Sequence, residues 1–156
     1  MKTLWFPLYN LVLALWVGGI AIFTFIVTPA IFQSYGRDMA GEIVGKLFPG
    51  YFLYNLILAA GGLALFFMVA DHHVKKAYWV SLLLLVCALI INAFIVFKLH
   101  PETIKAKQAI ASFERVSPDS PERIHFARLH GVSAVLNLVL LAEGVTLLAV
   151  SPLLRK

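Results

Sequence analysis

Apolar residues run along this chain in four long blocks: Leu8 to Val27, Tyr51 to Ala70, Tyr78 to Phe97 and Gly131 to Val150. Each has about 20 residues, the length a helix needs to cross the hydrocarbon of a bilayer, and none alternates as the shorter strands of a barrel would. The pattern predicts helices near Leu4 to Phe32, Pro49 to Ala70, Lys76 to Leu99 and Pro121 to Val150. That is an all-α, integral membrane four-helix bundle, a single domain over residues 1–156. An even number of spans puts both termini on one side of the membrane, side A, with the short loop 71–77. Segments 33–50 and 98–127 then fall on side B.

The side-B segments have structure of their own. In 33–50, Met39, Ile43, Val44, Leu47 and Phe48 recur at helical spacing opposite Arg37, Asp38, Glu42 and Lys46, which predicts a helix lying in the interface. In 98–127, Pro101 follows His100, and an Ile104, Ile110, Phe113 pattern runs among Lys and Glu. Ser120-Pro121-Glu122 reads as an N-cap with proline at the first helical position, so the fourth helix begins there. From Pro121 to Val150 that helix is about 45 Å long at 1.5 Å per residue, longer than a hydrocarbon core of about 30 Å, so it projects from side B or tilts.

Composition agrees with the spans: 61% of residues are hydrophobic and 13% charged, outside the range of soluble domains. Lys2 ahead of the first block raises the question of a signal peptide. The apolar run is too long for one and lacks a small-x-small cleavage site, so the block is expected to be retained. The net charge of +5 sits at helix ends, where anionic lipid headgroups attract it. It points to the bilayer as partner and away from nucleic acid. Side B carries more basic residues and side A packs its own more densely, so orientation stays open. The location is a multi-pass membrane protein, of the cell inner membrane if the source is bacterial.

Polar residues inside the blocks are the candidates for chemistry. Asn55, Asn92 and Asn137 fall at a similar depth, roughly 5 to 8 Å from the midplane towards side B. Either they are interhelical glue, worth about 0.6 to 2 kcal/mol per bond, or they line a polar pocket. Glu143 lies within about 4 Å of the midplane, where an ionised carboxylate costs roughly 2.5 kcal/mol or more and so must be neutral, paired or hydrated. Trp16 has a similar depth, and its indole N–H is the expected donor to Glu143, with Thr146 a turn away as a local partner. Asn10 is the remaining amide.

Histidines fall at the ends: His72 and His73 on side A, His100, His125 and His130 on side B. His100 and His130 approach side B from adjacent spans and are the weak candidates for a metal or haem b site. His125 and His130 do not share a helical face. Glu122 and His125 do, but lack the further carboxylates of a di-metal bundle. Cys87 is the only cysteine and Met is scarce, which disfavours a soft-metal relay. No phosphate loop, nucleophile elbow or metalloprotease motif occurs, which weighs against an enzyme. Ala14, Gly18 and Ala21 share one face of the first helix and would admit close approach within the bundle or between protomers.

Three motifs in order carry a resemblance: Trp16-Val17-Gly18-Gly19 leading to Thr28-Pro29-Ala30-Ile31-Phe32, then Ala40-Gly41-Glu42-Ile43-Val44-Gly45-Lys46-Leu47-Phe48-Pro49, then Phe126 with Leu129-His130-Gly131-Val132-Ser133 and Asn137. Over nearly its whole length the chain resembles the small four-helix transmembrane family that includes the animal transmembrane protein associated with cisplatin resistance. A more distant likeness to CopD-type copper-resistance membrane proteins rests on the Trp-x-Gly-Gly region alone. The resemblance implies a four-span topology and an association with drug or metal tolerance, and it singles out Trp16, Phe48, Pro49, His130, Ser133 and Asn137. His130, Ser133 and Asn137 stand at i, i+3 and i+7 on one face of the fourth helix, which should turn inward from side B.

The leading expectation is therefore a protein that handles or transports a small solute, drug or metal ion through a polar intramembrane site built from Trp16, Asn55, Asn92, His130, Ser133, Asn137 and Glu143. So small a bundle would need to form a homo-oligomer to enclose a path. The alternatives are a membrane scaffold or assembly protein and, further off, a redox protein holding haem b or a quinone between its helices; the leading reading requires no cofactor.

Overall fold

The computed structural model describes residues 2–70 and 74–155, with side chains over 5–70 and 74–154. His72 and His73, placed on side A by the sequence, lie outside the described residues. Four helical rods account for the fold. Helix α1 (Lys2–Ile22) passes through a π turn (Phe23–Val27) into α2 (Thr28–Ser34), and helical dihedrals at Ile22, Val27 and Thr28 make this one rod. The second rod is α3 (Arg37–Val69). The third is α4 (Lys75–Phe94), a second π turn (Ile95–Leu99) and α5 (His100–Gln108). The fourth, α6 (Pro121–Val150), ends in a 3-10 turn (Ser151–Arg155).

All four rods are long and apolar enough to cross a membrane, and the chain is a multi-pass integral membrane protein. Helix α1 packs on α3 and α6, and α4 packs on the same two. The buried positions repeat at alternating steps of three and four: Tyr9, Leu13, Trp16 and Ile20 on α1, and Phe52, Asn55, Ala59, Gly62, Phe66 and Val69 on α3. On the third rod the same rhythm runs through Tyr78, Ser81, Leu85, Ala88, Asn92, Ile95 and Leu99, and on α6 through Leu140, Glu143 and Leu147. This is the 3.5-residue repeat of left-handed helix packing. The opposite faces, with Phe25, Ile57, Leu83, Ile90 and Phe97 all more than half exposed, meet acyl chains in a bilayer.

The rods are 30 to 34 residues long, about 45 to 51 Å at 1.5 Å per residue, against a hydrocarbon core of about 30 Å. The predicted interfacial helix of 33–50 is not a separate element. Tyr35 and Gly36 form the link, and from Arg37 the chain is continuous with the second span through Pro49. Likewise the third rod runs nine residues past its expected end at Leu99, through α5. Continuity keeps backbone groups paired within the rod where water is scarce.

Both π turns have an identifiable cause. Pro29 and Pro101 each stand two residues after one. A proline ring pushes on the carbonyl four residues back and offers it no N–H, so the preceding turn widens. Ser120 caps α6 as its sequence predicts, its hydroxyl accepting from Arg123 N at 3.4 Å.

Close approach falls on glycines, though not on the Ala14, Gly18, Ala21 face. A Cβ at Gly144 would lie 2.7 Å from Val17 Cγ2 and one at Gly19 would lie 2.5 Å from Tyr54 Cε1, whereas one at Gly18 would meet nothing within 4 Å. At the terminal end of the bundle Ser151 Oγ donates to Asn10 Oδ1 at 2.6 Å, tying the start of α1 to the end of α6. At the other end, loop 109–120 is pinned by Asp38, whose carboxylate accepts from Ser112 Oγ and Phe113 N, both at 2.6 Å.

Candidate functional site

The first π turn, α3 and α6 enclose a cleft of about 280 Å3 in the half of the bundle nearer the 109–120 loop. Its polar end is a hydrogen-bond chain between rods. Tyr51 Oη donates to Asn137 Oδ1 at 2.5 Å, and Asn137 Nδ2 donates to Thr24 Oγ1 at 2.8 Å. The side chains of Thr24 and Asn55 lie beside the same Tyr51 hydroxyl. Each partner has a local reason for its position: Thr24 sits in the π turn that Pro29 induces, Tyr51 lies one turn before the buried Asn55 on α3, and Asn137 lies one turn before the buried Leu140 on α6. π turns commonly mark functional positions in helices, because the extra residue re-aims a side chain.

The rest of the cleft is aromatic. Phe23 stacks on Tyr51 with centroids 4.1 Å apart and planes 14° from parallel, and Phe48 stacks on Phe52 at 5.2 Å and 3°. His130 and Ser133 complete the wall on α6. Thus His130, Ser133 and Asn137, one face of the fourth helix, open on a single cavity. Thr24 and Tyr51, which hold Asn137, were not singled out by sequence. Thr24 and Thr28 at i, i+4 were the available signal on the first span, and Tyr51 reads in sequence as the aromatic edge of an apolar block.

Residues expected to form one site separate into three groups. Asn55 and Asn92 are buried, but each spends its Nδ2 on its own helix, on Tyr51 O at 3.0 Å and Ala88 O at 2.9 Å. The three amides therefore do not bond to one another; Asn137 turns to Tyr51 and Thr24 instead. Trp16 and Glu143 are buried in the helix seam and line none of the cavities described here. The expected Trp16–Glu143 hydrogen bond is not made: Trp16 Nε1 and Glu143 Oε2 are both buried without a partner. Trp16 packs its ring edge towards Gly144, and Thr146 donates to Ala142 O at 2.8 Å rather than to Glu143. The indole presents its Cε3–Cζ3 edge to the α6 backbone at Gly144, and its N–H finds no acceptor.

Beyond the cleft, towards the loop, a second cavity of about 260 Å3 adjoins it and shares Thr28, Phe48 and His130. Both weak metal candidates line it. His100 packs edge-on to Phe52 at 5.0 Å, and its Nε2 is buried without a partner; His130 stacks on Phe126 at 5.7 Å and 9°. Among the described residues no group of three His, Cys, Asp or Glu side chains converges.

These features define a class: a four-span integral membrane protein whose helices hold a polar and aromatic cleft connected to a cavity at one end of the bundle. Residues 11–112 match the family described as a domain of unknown function, DUF4149, and the chain belongs to that family. The match takes in Thr24, Tyr51 and His100 and stops short of α6, which supplies His130, Ser133 and Asn137. No curated protein and no solved structure matches the chain.

Proposed function

We propose that the protein handles a small solute carrying an aromatic ring and a hydrogen-bonding group, which enters the bundle from the loop-bearing end and lodges in the cleft. The observation that carries this reading is the chain Thr24–Asn137–Tyr51 set at the base of a wall of aromatic rings. A bond network meant only as glue needs no adjoining space. Here it borders about 280 Å3 of it, and rings such as Phe23, Phe48 and Phe52 give a planar guest faces and edges to pack on. The resemblance of the chain's motifs to the cisplatin-resistance-associated family implies an association with drug or metal tolerance, with which handling of a small solute is compatible. Glu143, expected in the polar intramembrane site, stands outside this reading because it lines neither cavity.

The test is release from proteoliposomes loaded with benzoate, indole-3-acetate or phenylalanine. At least one should leave faster than from protein-free vesicles, and Asn137→Leu, which removes both interhelical bonds, should abolish the difference while the protein still reconstitutes. No release of any of the three, under any imposed gradient, would sink the proposal.

A further inference from the structure

The cavity beside the cleft has a composition that solute passage alone does not explain. Its walls are apolar, with Phe32, Val44, Ile104 and Phe126 among them, yet Arg37 and Lys107 also line it and no carboxylate does. The nearby acids are engaged elsewhere. Asp38 accepts from Ser112 and Phe113, Glu42 is paired with Lys46 at 2.8 Å, and the Glu114 carboxylate lies against Gly36. Among the described residues Arg37 makes no ion pair.

Lys107 is held in place rather than swinging free. Its Nζ donates to Gly41 O at 2.6 Å across 66 residues of sequence, and it rests over Gly41 and Gly45, one turn apart on α3. A Cβ at Gly45 would come within 3.3 Å of that nitrogen. The ammonium has three donors and the Gly41 carbonyl takes one. Across the same cavity His100 Nε2 is buried without a partner. Two cations and an unpartnered ring nitrogen thus face the same apolar space, Arg37 from its exposed rim and Lys107 half-buried, with no carboxylate lining it between them.

We propose that this cavity binds the anionic head of a single-chain amphiphile drawn from the membrane, either a fatty-acid carboxylate or a lysophospholipid phosphate. The head sits between Arg37, Lys107 and His100, and the alkyl chain runs along Phe48 and Phe126. Because the cavity shares Thr28, Phe48 and His130 with the cleft, the bound amphiphile stands at the cleft's mouth. The inference rests on the basic rim and not on passage of a solute, so a failed release experiment leaves it untouched.

Native mass spectrometry of the full chain in detergent, titrated with oleate, oleyl alcohol, lysophosphatidate, lysophosphatidylcholine and inorganic phosphate, tests it. At least one of oleate and lysophosphatidate should bind about tenfold or more tightly than its uncharged or zwitterionic counterpart, a preference of about 1.4 kcal/mol. The stronger of the two identifies the head as carboxylate or phosphate. Arg37→Gln with Lys107→Gln should erase the preference, and Gly45→Ala, which keeps every charge but crowds the ammonium, should weaken it. Oleyl alcohol binding as tightly as oleate and lysophosphatidylcholine as tightly as lysophosphatidate in the unaltered protein would overturn the proposal without reliance on any variant. So would a preference that survives the double substitution, or inorganic phosphate alone displacing the amphiphile at equal concentration.

Discussion

Gly144 and Glu143 are neighbours on α6 with opposite sensitivities. At Gly144 the Cβ of an alanine would meet Val17 Cγ2 at 2.7 Å, closer than any real contact, so α1 and α6 must part or the valine must move. Gly144→Ala should destabilise the bundle by about 1 to 3 kcal/mol, the usual cost of overpacking. Adding Val17→Ala should recover most of it; thermal unfolding in detergent followed by tryptophan fluorescence reads both. Glu143 is buried, but its Oε2 bonds to nothing, so Glu143→Gln loses no bond there and should change stability by no more than about 0.5 kcal/mol. Glu143→Leu removes an unpartnered polar atom from the seam and should leave stability unchanged or raise it. A fall of more than about 1.5 kcal/mol with Gln would mean that the carboxylate holds a bond the geometry does not contain. The sequence marks Glu143 as out of place but cannot say which way Trp16 turns, because that is set by how α1 and α6 pack against each other.

At the scale of elements, the four spans are legible because their hydrophobicity is continuous, and for the same reason their inner faces are not. Lipid-facing Leu83 and Ile90 are as apolar as buried Leu85 and Ile95, so no amphipathic period stands out. The seam is visible only through the polar residues it contains, Asn55, Ser81, Asn92 and Glu143, which fall on its three-four rhythm. The π turns escape for another reason: Pro29 and Pro101 signal a disturbance, but whether the helix stops or widens depends on the rods packed beside it. The face His130, Ser133, Asn137 is readable once the motif resemblance singles out those residues and their spacing puts them together, whereas its partners Thr24 and Tyr51 are fixed by registers between rods. The Asp38 anchor is likewise long-range, joining residues 74 and 75 positions apart. It predicts that Asp38→Ala frees loop 109–120, so trypsin should cut after Arg115 several times faster than in the unaltered protein. Asp38→Asn keeps one acceptor oxygen and should fall between; equal rates for all three would mean that the loop is held by Phe113 against Phe126 and not by the carboxylate.

For the whole molecule, the two ends of the bundle differ. At the terminal end, among the described residues, Ser151 bonds Asn10 and Leu147, Leu154 and Phe66 are buried. The loop-bearing end contains the basic cavity, and the polar cleft adjoins that cavity rather than the terminal end. Access should therefore be one-sided. With Cys87 replaced by alanine, a membrane-impermeant maleimide should reach Ser133→Cys from the same side of sealed vesicles as it reaches Ser117→Cys in the loop. It should not reach Ser133→Cys from the side that exposes Leu153→Cys. Glu143→Cys, buried in the seam away from both cavities, should react from neither side. The reasoning depends on geometry alone, since a thiolate forms only where water reaches it and the maleimide must follow the same route. Labelling of Ser133→Cys from both sides would mean that the cleft opens alternately or runs through the bundle. Labelling only from the Leu153→Cys side would show that the solute route begins at the terminal end, and the basic cavity would then lie off that route.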